Sequence, residues 1–238
     1  MMTKKIYMIL LAMALATACA KDYTENYHDP FWDSGQGGEN DPIVFLNETD
    51  PAAWLKLEFE DRFNACEVPG TILQAKSTYA LGLSILHYPM NGILYAYNYL
   101  DMPVKMVYDR SPLHQTLAHR EDAAATLVDI FDMTSIDPMI FSSKDYMTLC
   151  LNDELFLELF LGTGLVPGLD SRVNKERLKA TVSRKMDERR KDASFSDISL
   201  IPLAYMNERL GLGLKFDDAI VNTMHQFTLG DGIYNYSN

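Results

Sequence analysis

The chain reads as an all-α protein, a compact bundle or an irregular array of short helical hairpins, set behind a signal peptide and a flexible tether. Three observations predict this. Apolar residues recur at helical spacing through most of the body. No stretch alternates with the period of two that a half-buried strand needs. Pro89, Pro103, Pro112 and Pro138 punctuate the helical runs, as tight turns between hairpins would. An apolar share of 47% fits a globular protein and is too rich for disorder. No fixed repeat period emerges, so a solenoid is not demonstrated.

The first 18 residues stand apart. Lys4 and Lys5 give a positive start, Ile6 to Leu15 an apolar stretch, and Ala16-Thr17-Ala18 small residues before Cys19. The stretch is shorter than the about 20 apolar residues of a membrane span and reads as a cleaved signal over residues 1–18. The run into Cys19 resembles a bacterial lipobox, with Ala16 where Leu is commoner. That resemblance implies a diacylglyceryl group on Cys19, which becomes the mature N-terminus. The competing reading is an ordinary secretory signal cut after Ala18. Lys21-Asp22 resembles the surface-export signal of Bacteroidota lipoproteins, incompletely, because Tyr23 follows the single acid. The expected address is the outer membrane, lipid-anchored, with the cell surface favoured over the periplasmic face.

Residues 19–45 are expected to be the lipidated cysteine and a flexible tether. Their polar composition and the Ser34-Gly35-Gln36-Gly37-Gly38 run bury too little apolar surface to offset ordering entropy. Phe31 and Trp32 interrupt that polarity. Residues 46–238 are expected to form one helical domain, long enough to bury a sizeable core. Ser77 caps a helix carrying Leu81, Ile85 and Tyr88 until Pro89 ends it. Ala124, Leu127, Val128 and Phe131 mark a second, with Glu121 and Asp122 in its first turn. A third starts near Ser142, with Asp145 as a short capping-box acid. It carries Tyr146, Leu149 and Cys150 on one face, runs through Leu155–Leu161 and stops near Gly162-Thr163-Gly164. Leu178, Val182 and Met186 mark a fourth helix with a charged outer face. A fifth begins at Ser196 or Asp197 and reaches Leu210 before Gly211 and Gly213, with Pro202 as a point of bending.

Several of these segments carry a resemblance. Cys66-Glu67-Val68-Pro69, Ser77-Thr78, Leu86-His87-Tyr88-Pro89 and Arg120-Glu121-Asp122-Ala123 are followed by the Leu155–Leu161 helix and the charged Asn174–Lys191 helix. Over about residues 64–212 this order resembles a family of uncharacterised Bacteroidota lipoproteins with an α-helical body. The resemblance implies an exported helical protein and carries no catalytic residues across. Gly162-Thr163-Gly164 and the long C-terminal end depart from the pattern.

Charge excludes some partners. The chain carries −12 formally, and loss of Lys4 and Lys5 with the signal makes it more acidic still. Phosphate backbones and anionic headgroups repel such a body, so nucleic acid is not expected and any membrane attachment falls to acyl chains. With Cys19 acylated, Cys66 and Cys150 remain, an even pair in a compartment that permits disulfides. Two separate buried thiols are favoured over a bridge.

No catalytic, cofactor-binding or metal-binding motif stands out. His28, His87, His114, His119 and His225 lack zinc-ligand spacing. Serines occur in no nucleophile elbow; Ser142-Ser143-Lys144 reads as a helix start and Ser183-Arg184-Lys185 as an exposed face. Gly211-Leu212-Gly213 reads as a helix stop rather than a phosphate loop. Asp217, Asp218 and Asp231 lack the spaced oxygen ligands of a calcium loop. Lys185, Arg189, Arg190 and Lys191 read as a solvated helix face with local ion pairs. Tyr95, Tyr97 and Tyr99 read as packing, and Tyr234-Asn235-Tyr236 as a fraying end. The expected function is therefore a lipid-anchored envelope module that binds a protein or glycan. The alternatives are a hydrolase whose site is assembled from distant Asp, Glu and His residues, and a structural or stress-related envelope protein.

Overall fold

The computed structural model describes residues 38–96, 99–134, 144–192, 195 and 197–228. Among these there are twelve α-helices and no strand, so the fold is all-α. Cys19, His28, Phe31, Trp32, Tyr97, Ser142, Ser143, Ser196, Asp231 and Tyr234-Asn235-Tyr236 lie outside the described residues. So do the side chains of Tyr95, Asp145, Tyr146, Leu149 and Cys150.

Four short helices open the body: α1 (Leu46–Thr49), α2 (Pro51–Trp54), α3 (Phe59–Ala65) and α4 (Gly70–Ala75). Local chemistry sets their limits. Asp50 accepts from Ala53 N at 2.9 Å, and Pro51 occupies the first turn of α2, where its missing N–H costs nothing. Next come α5 (Thr78–Leu86), a 3₁₀ turn (Asn91–Ala96), α6 (Asp101–Arg110), α7 (Pro112–Ala118) and α8 (Ala123–Met133). Ser77 caps α5 as the sequence predicts, accepting from Ala80 N at 3.2 Å. Asp122 stands at the start of α8, but its carboxylate accepts from Thr78 Oγ1 at 2.6 Å and so ties α8 to α5.

The long α9 (Lys144–Gly162) is the hub, touching α5, α6, α8 and the 3₁₀ turn. Leu155, Phe156, Leu157, Leu159, Phe160 and Leu161 are all buried, and so is Glu158 among them, so this part of α9 is enclosed by neighbours on every side. Then follow α10 (Arg172–Lys191), a 3₁₀ turn (Asp197–Leu200), α11 (Ile201–Leu210) and α12 (Asp218–Gln226). Pro202 does not bend a helix begun at Asp197; it lies in the first turn of α11, where a separate helix starts after the 3₁₀ turn. Gly211 ends α11 in the left-handed region (φ 61°), and Leu212 N donates to Asn207 O at 3.0 Å, the glycine stop read from sequence.

Residues 38–45, the last part of the stretch read as tether, are fixed to the body. Ser77 N donates to Glu39 O at 2.9 Å, and Ile43 N donates to Ser84 Oγ at 2.8 Å. Phe45 is buried, edge-on to Tyr88 with centroids 5.4 Å apart. No helix among the described residues is long and apolar enough to cross a membrane.

Candidate functional site

Three polar clusters converge on α9, and their burial and chemistry separate them.

The first joins α9 to α10. Arg189 donates to both carboxylate oxygens of Glu158, Nη1 at 3.1 Å and Nη2 at 2.5 Å, and Nη1 also donates to Ser199 O at 2.6 Å. Lys185 donates to Glu154 Oε1 and to the Thr134 carbonyl, and lies 4.8 Å from the Phe131 ring centroid. All four charged side chains are at least 95% buried. Lys185 and Arg189 are therefore not the solvated face expected of them; of that run only Arg190 and Lys191 are exposed. The reason is periodicity. Leu178, Thr181, Val182, Lys185, Met186 and Arg189 form one buried stripe, and the acids opposite satisfy the two cations. Burial pushes the Glu158 carboxyl above the usual carboxylate range against the pull of Arg189, with Glu154 adding repulsion. With this little exposure and every cation paired, the cluster is a structural clamp.

The second is the core around His114. Ser111 caps α7, and its Oγ lies 2.8 Å from His114 Nδ1; both residues are fully buried. The imidazole packs edge-on against Tyr88, Phe156 and Phe160. Burial pulls its pKa down to about 3, so it stays neutral at physiological pH. Cys66 is a buried free thiol, and burial pushes it up to about 12, which leaves it protonated and inert. A serine–histidine contact sealed from substrate performs no hydrolysis; it packs.

The third cluster is partly open to solvent. Asp153 on α9 lies 3.7 Å from His87 Nδ1, at the end of α5, and about one-fifth of each side chain is exposed. Asn91, in the first 3₁₀ turn, places Nδ2 3.3 Å from Asp153 Oδ1. That nitrogen has two hydrogens and also faces the carbonyls of Ile85 at 2.9 Å and Leu86 at 2.8 Å, so Asp153 receives at best a shared hydrogen. Asn91 Oδ1 is buried with no hydrogen-bond partner among the described residues. Glu48 on α1 is close enough to repel Asp153 electrostatically. Burial raises Asp153 well above the usual carboxylate range, and burial raises Glu48 to about 7.

Asn91, Asp153 and Glu48 were not singled out by sequence, and His87 reads there as structural. Residues 48, 87, 91 and 153 share no motif, and the packing of α9 on α5 and the first 3₁₀ turn is what brings His87, Asn91 and Asp153 together. The remaining sequence candidates scatter. His119 is exposed, with Nδ1 2.7 Å from Gln115 O, and the exposed His225 has Nε2 2.8 Å from Glu208 Oε2. Asp217 accepts from Arg190 at 2.8 Å. Among the described residues no three His, Cys, Asp or Glu side chains are grouped to hold a metal ion.

No protein-family model matches the chain, and neither does any curated protein or solved structure.

Proposed function

We propose that the chain is a lipid-anchored, outer-membrane-associated module, held through Cys19, that binds an envelope protein or glycan through the Glu48–His87–Asn91–Asp153 cluster. The anchor reading is supported by Lys4-Lys5, the Ile6–Leu15 stretch and Ala16-Thr17-Ala18-Cys19, together with the Bacteroidota lipoprotein resemblance of residues 64–212. The binding reading is carried by one observation: Asp153, about one-fifth exposed beside His87, offers carboxylate oxygens that receive at best a shared hydrogen from Asn91. A partner rich in donors fits them, and glycan hydroxyls favour the glycan over the protein.

Membrane fractionation tests the anchor. Cys19→Ala should leave the body folded and move it to the soluble fraction; membrane retention of that variant would count against lipidation. A glycan array probed with the full chain tests the cluster. Binding that Asp153→Ala abolishes without unfolding the protein supports the reading, and identical binding by that variant removes the cluster from it.

A hydrolase is the second reading, favoured by Glu48. A carboxyl that burial raises to about 7, within electrostatic reach of a second raised carboxyl, is a pairing that general acid–base hydrolysis uses. Turnover of an array-positive glycan, lost in both Glu48→Gln and Asp153→Asn, would turn the module into an enzyme.

A further inference from the structure

We propose that the exposed Phe59 ring, flanked by Glu60 and Arg62 on α3 and by Arg110 from α6, is a stacking platform for a neutral hexose glycan. Its ligand class rests on the glycan binding proposed for the Asp153 cluster, with which it shares no residue. A single exposed apolar side chain carries no meaning by itself; what sets Phe59 apart is how its surroundings are held. It opens α3, which buries only Phe63, and it stays 43% exposed while its ring meets Phe63 at 80° with centroids 5.4 Å apart. Arg110 covers Phe63 in turn, its Cζ 4.0 Å from the ring centroid, and donates to both carboxylate oxygens of Glu60, Nη1 to Oε1 at 3.2 Å. Arg62 lies over Trp54, 5.5 Å from the ring centroid, and its Nε donates to the Leu57 carbonyl at 3.1 Å.

The helical repeat sets Phe59 between Arg62 on one side and Glu60 on the other. Glu60 has acceptor sites beyond the two that Arg110 takes, and the Arg62 Nη groups have donors without an acceptor among the described residues. Hydroxyls donate and accept, so they serve both, while the C–H face of a hexose ring matches an aromatic ring in size and polarity. Both guanidiniums are already ordered by their contacts, so binding costs less conformational freedom. Other occupants fit worse. Phe59 and Leu55, the latter 42% exposed, together offer no more than about 200 Å² of apolar side chain, against about 800 Å² per partner at a stable protein interface. The exposed Glu58, Glu60 and Asp61 share the surface with Arg62 and Arg110, which leaves no positive excess for an acidic sugar or an anionic headgroup.

An array of neutral and acidic oligosaccharides, probed with the full chain and its variants, tests the platform. The wild type should bind oligosaccharides of neutral hexoses. Phe59→Ala should weaken that binding about tenfold or more with an unchanged circular-dichroism spectrum, and Phe59→Trp should keep it. Phe59→Leu, which keeps an apolar contact for Phe63 but has no ring, should weaken it as well and decides alone if Phe59→Ala does not fold. Undiminished binding by the folded ringless variants, binding of acidic sugars only, or no binding at all overturns the proposal. Asp153→Ala separates the two sites: loss there with Phe59→Ala unaffected overturns the platform alone, and the reverse overturns the Asp153 cluster alone.

Discussion

A guanidinium taken out of water is tolerated only when its hydrogens find acceptors, and Arg189 shows the consequence. Its two carboxylate contacts and the Ser199 carbonyl replace the lost hydration, so removing the side chain strands Glu158 without a counter-charge. Arg189→Met should cost about 3–5 kcal/mol in urea unfolding, and adding Glu158→Leu should return a good part of it, because an apolar pair needs no compensation. A single-variant cost below about 1 kcal/mol would show that the clamp is not dry. The exposed Arg190–Asp217 pair at 2.8 Å is the contrast, worth about 0–1 kcal/mol because water screens it. Sequence reading treated Arg189 and Arg190 alike, since residue type alone points both to solvent. What distinguishes them is phase: Arg189 continues the buried stripe and Arg190 does not.

Where helices touch, the closeness of approach is set by what is missing from a side chain. Gly162 ends α9 against α11, and a Cβ there would lie 2.7 Å from the Tyr205 ring and 3.2 Å from Met206 Cα. Tyr205 is buried and the second contact is backbone, so neither yields cheaply. Gly162→Ala should destabilise the protein by about 1–3 kcal/mol, outweighing the roughly 1 kcal/mol that alanine adds in helix propensity. Gly82→Ala in α5 meets side chains alone, the terminal methyl of Ile130 most closely and Leu127 at 3.8 Å, with no backbone atom to displace, so its net cost should be smaller. Thermal melts of the two variants check the order, and equal losses would mean that α9 and α11 can part without penalty. Elements were the most legible level of this chain. Ser77, Gly162 and Gly211 mark ends through local backbone chemistry, and Leu155 to Leu161 announce a buried helix. The His87–Asp153–Asn91 meeting was not legible, because it depends on how α9 packs on α5 and the first 3₁₀ turn. The same holds for Asp122, whose acidic character marks a helix start while its partner, Thr78, lies 44 residues away.

Across the whole molecule, the buried titratable groups bias stability towards acid. Glu48 is raised to about 7, and Glu158 and Asp153 are raised as well, so over roughly pH 4.5–7 the folded chain holds protons that the unfolded chain has released. Stability therefore falls as pH rises through that range. His114 opposes them: pulled down to about 3 from 6.5, it contributes stability above 6.5 that is lost as pH falls towards 3. Three carboxyls outnumber one imidazole between about 4.5 and 6.5, and below 4.5 the carboxyls no longer differ between states while the histidine still does. The stability maximum should therefore lie near pH 5, on the acid side of the usual 5–8 range. Net charge acts in the same direction, since a chain carrying −12 at pH 7 repels itself less as it nears its isoelectric point of about 4.8. Asp132, lowered chiefly by its hydrogen bond from Thr181, pulls the other way, but its side chain is more than half exposed and water screens it. Calorimetric melts from pH 4 to 8 should show Tm highest near 5, with Glu158→Gln flattening the decline towards neutrality. A Tm that climbs steadily from 5 to 8 would mean that Glu158 stays ionised throughout, the pull of the Arg189 guanidinium outweighing its burial.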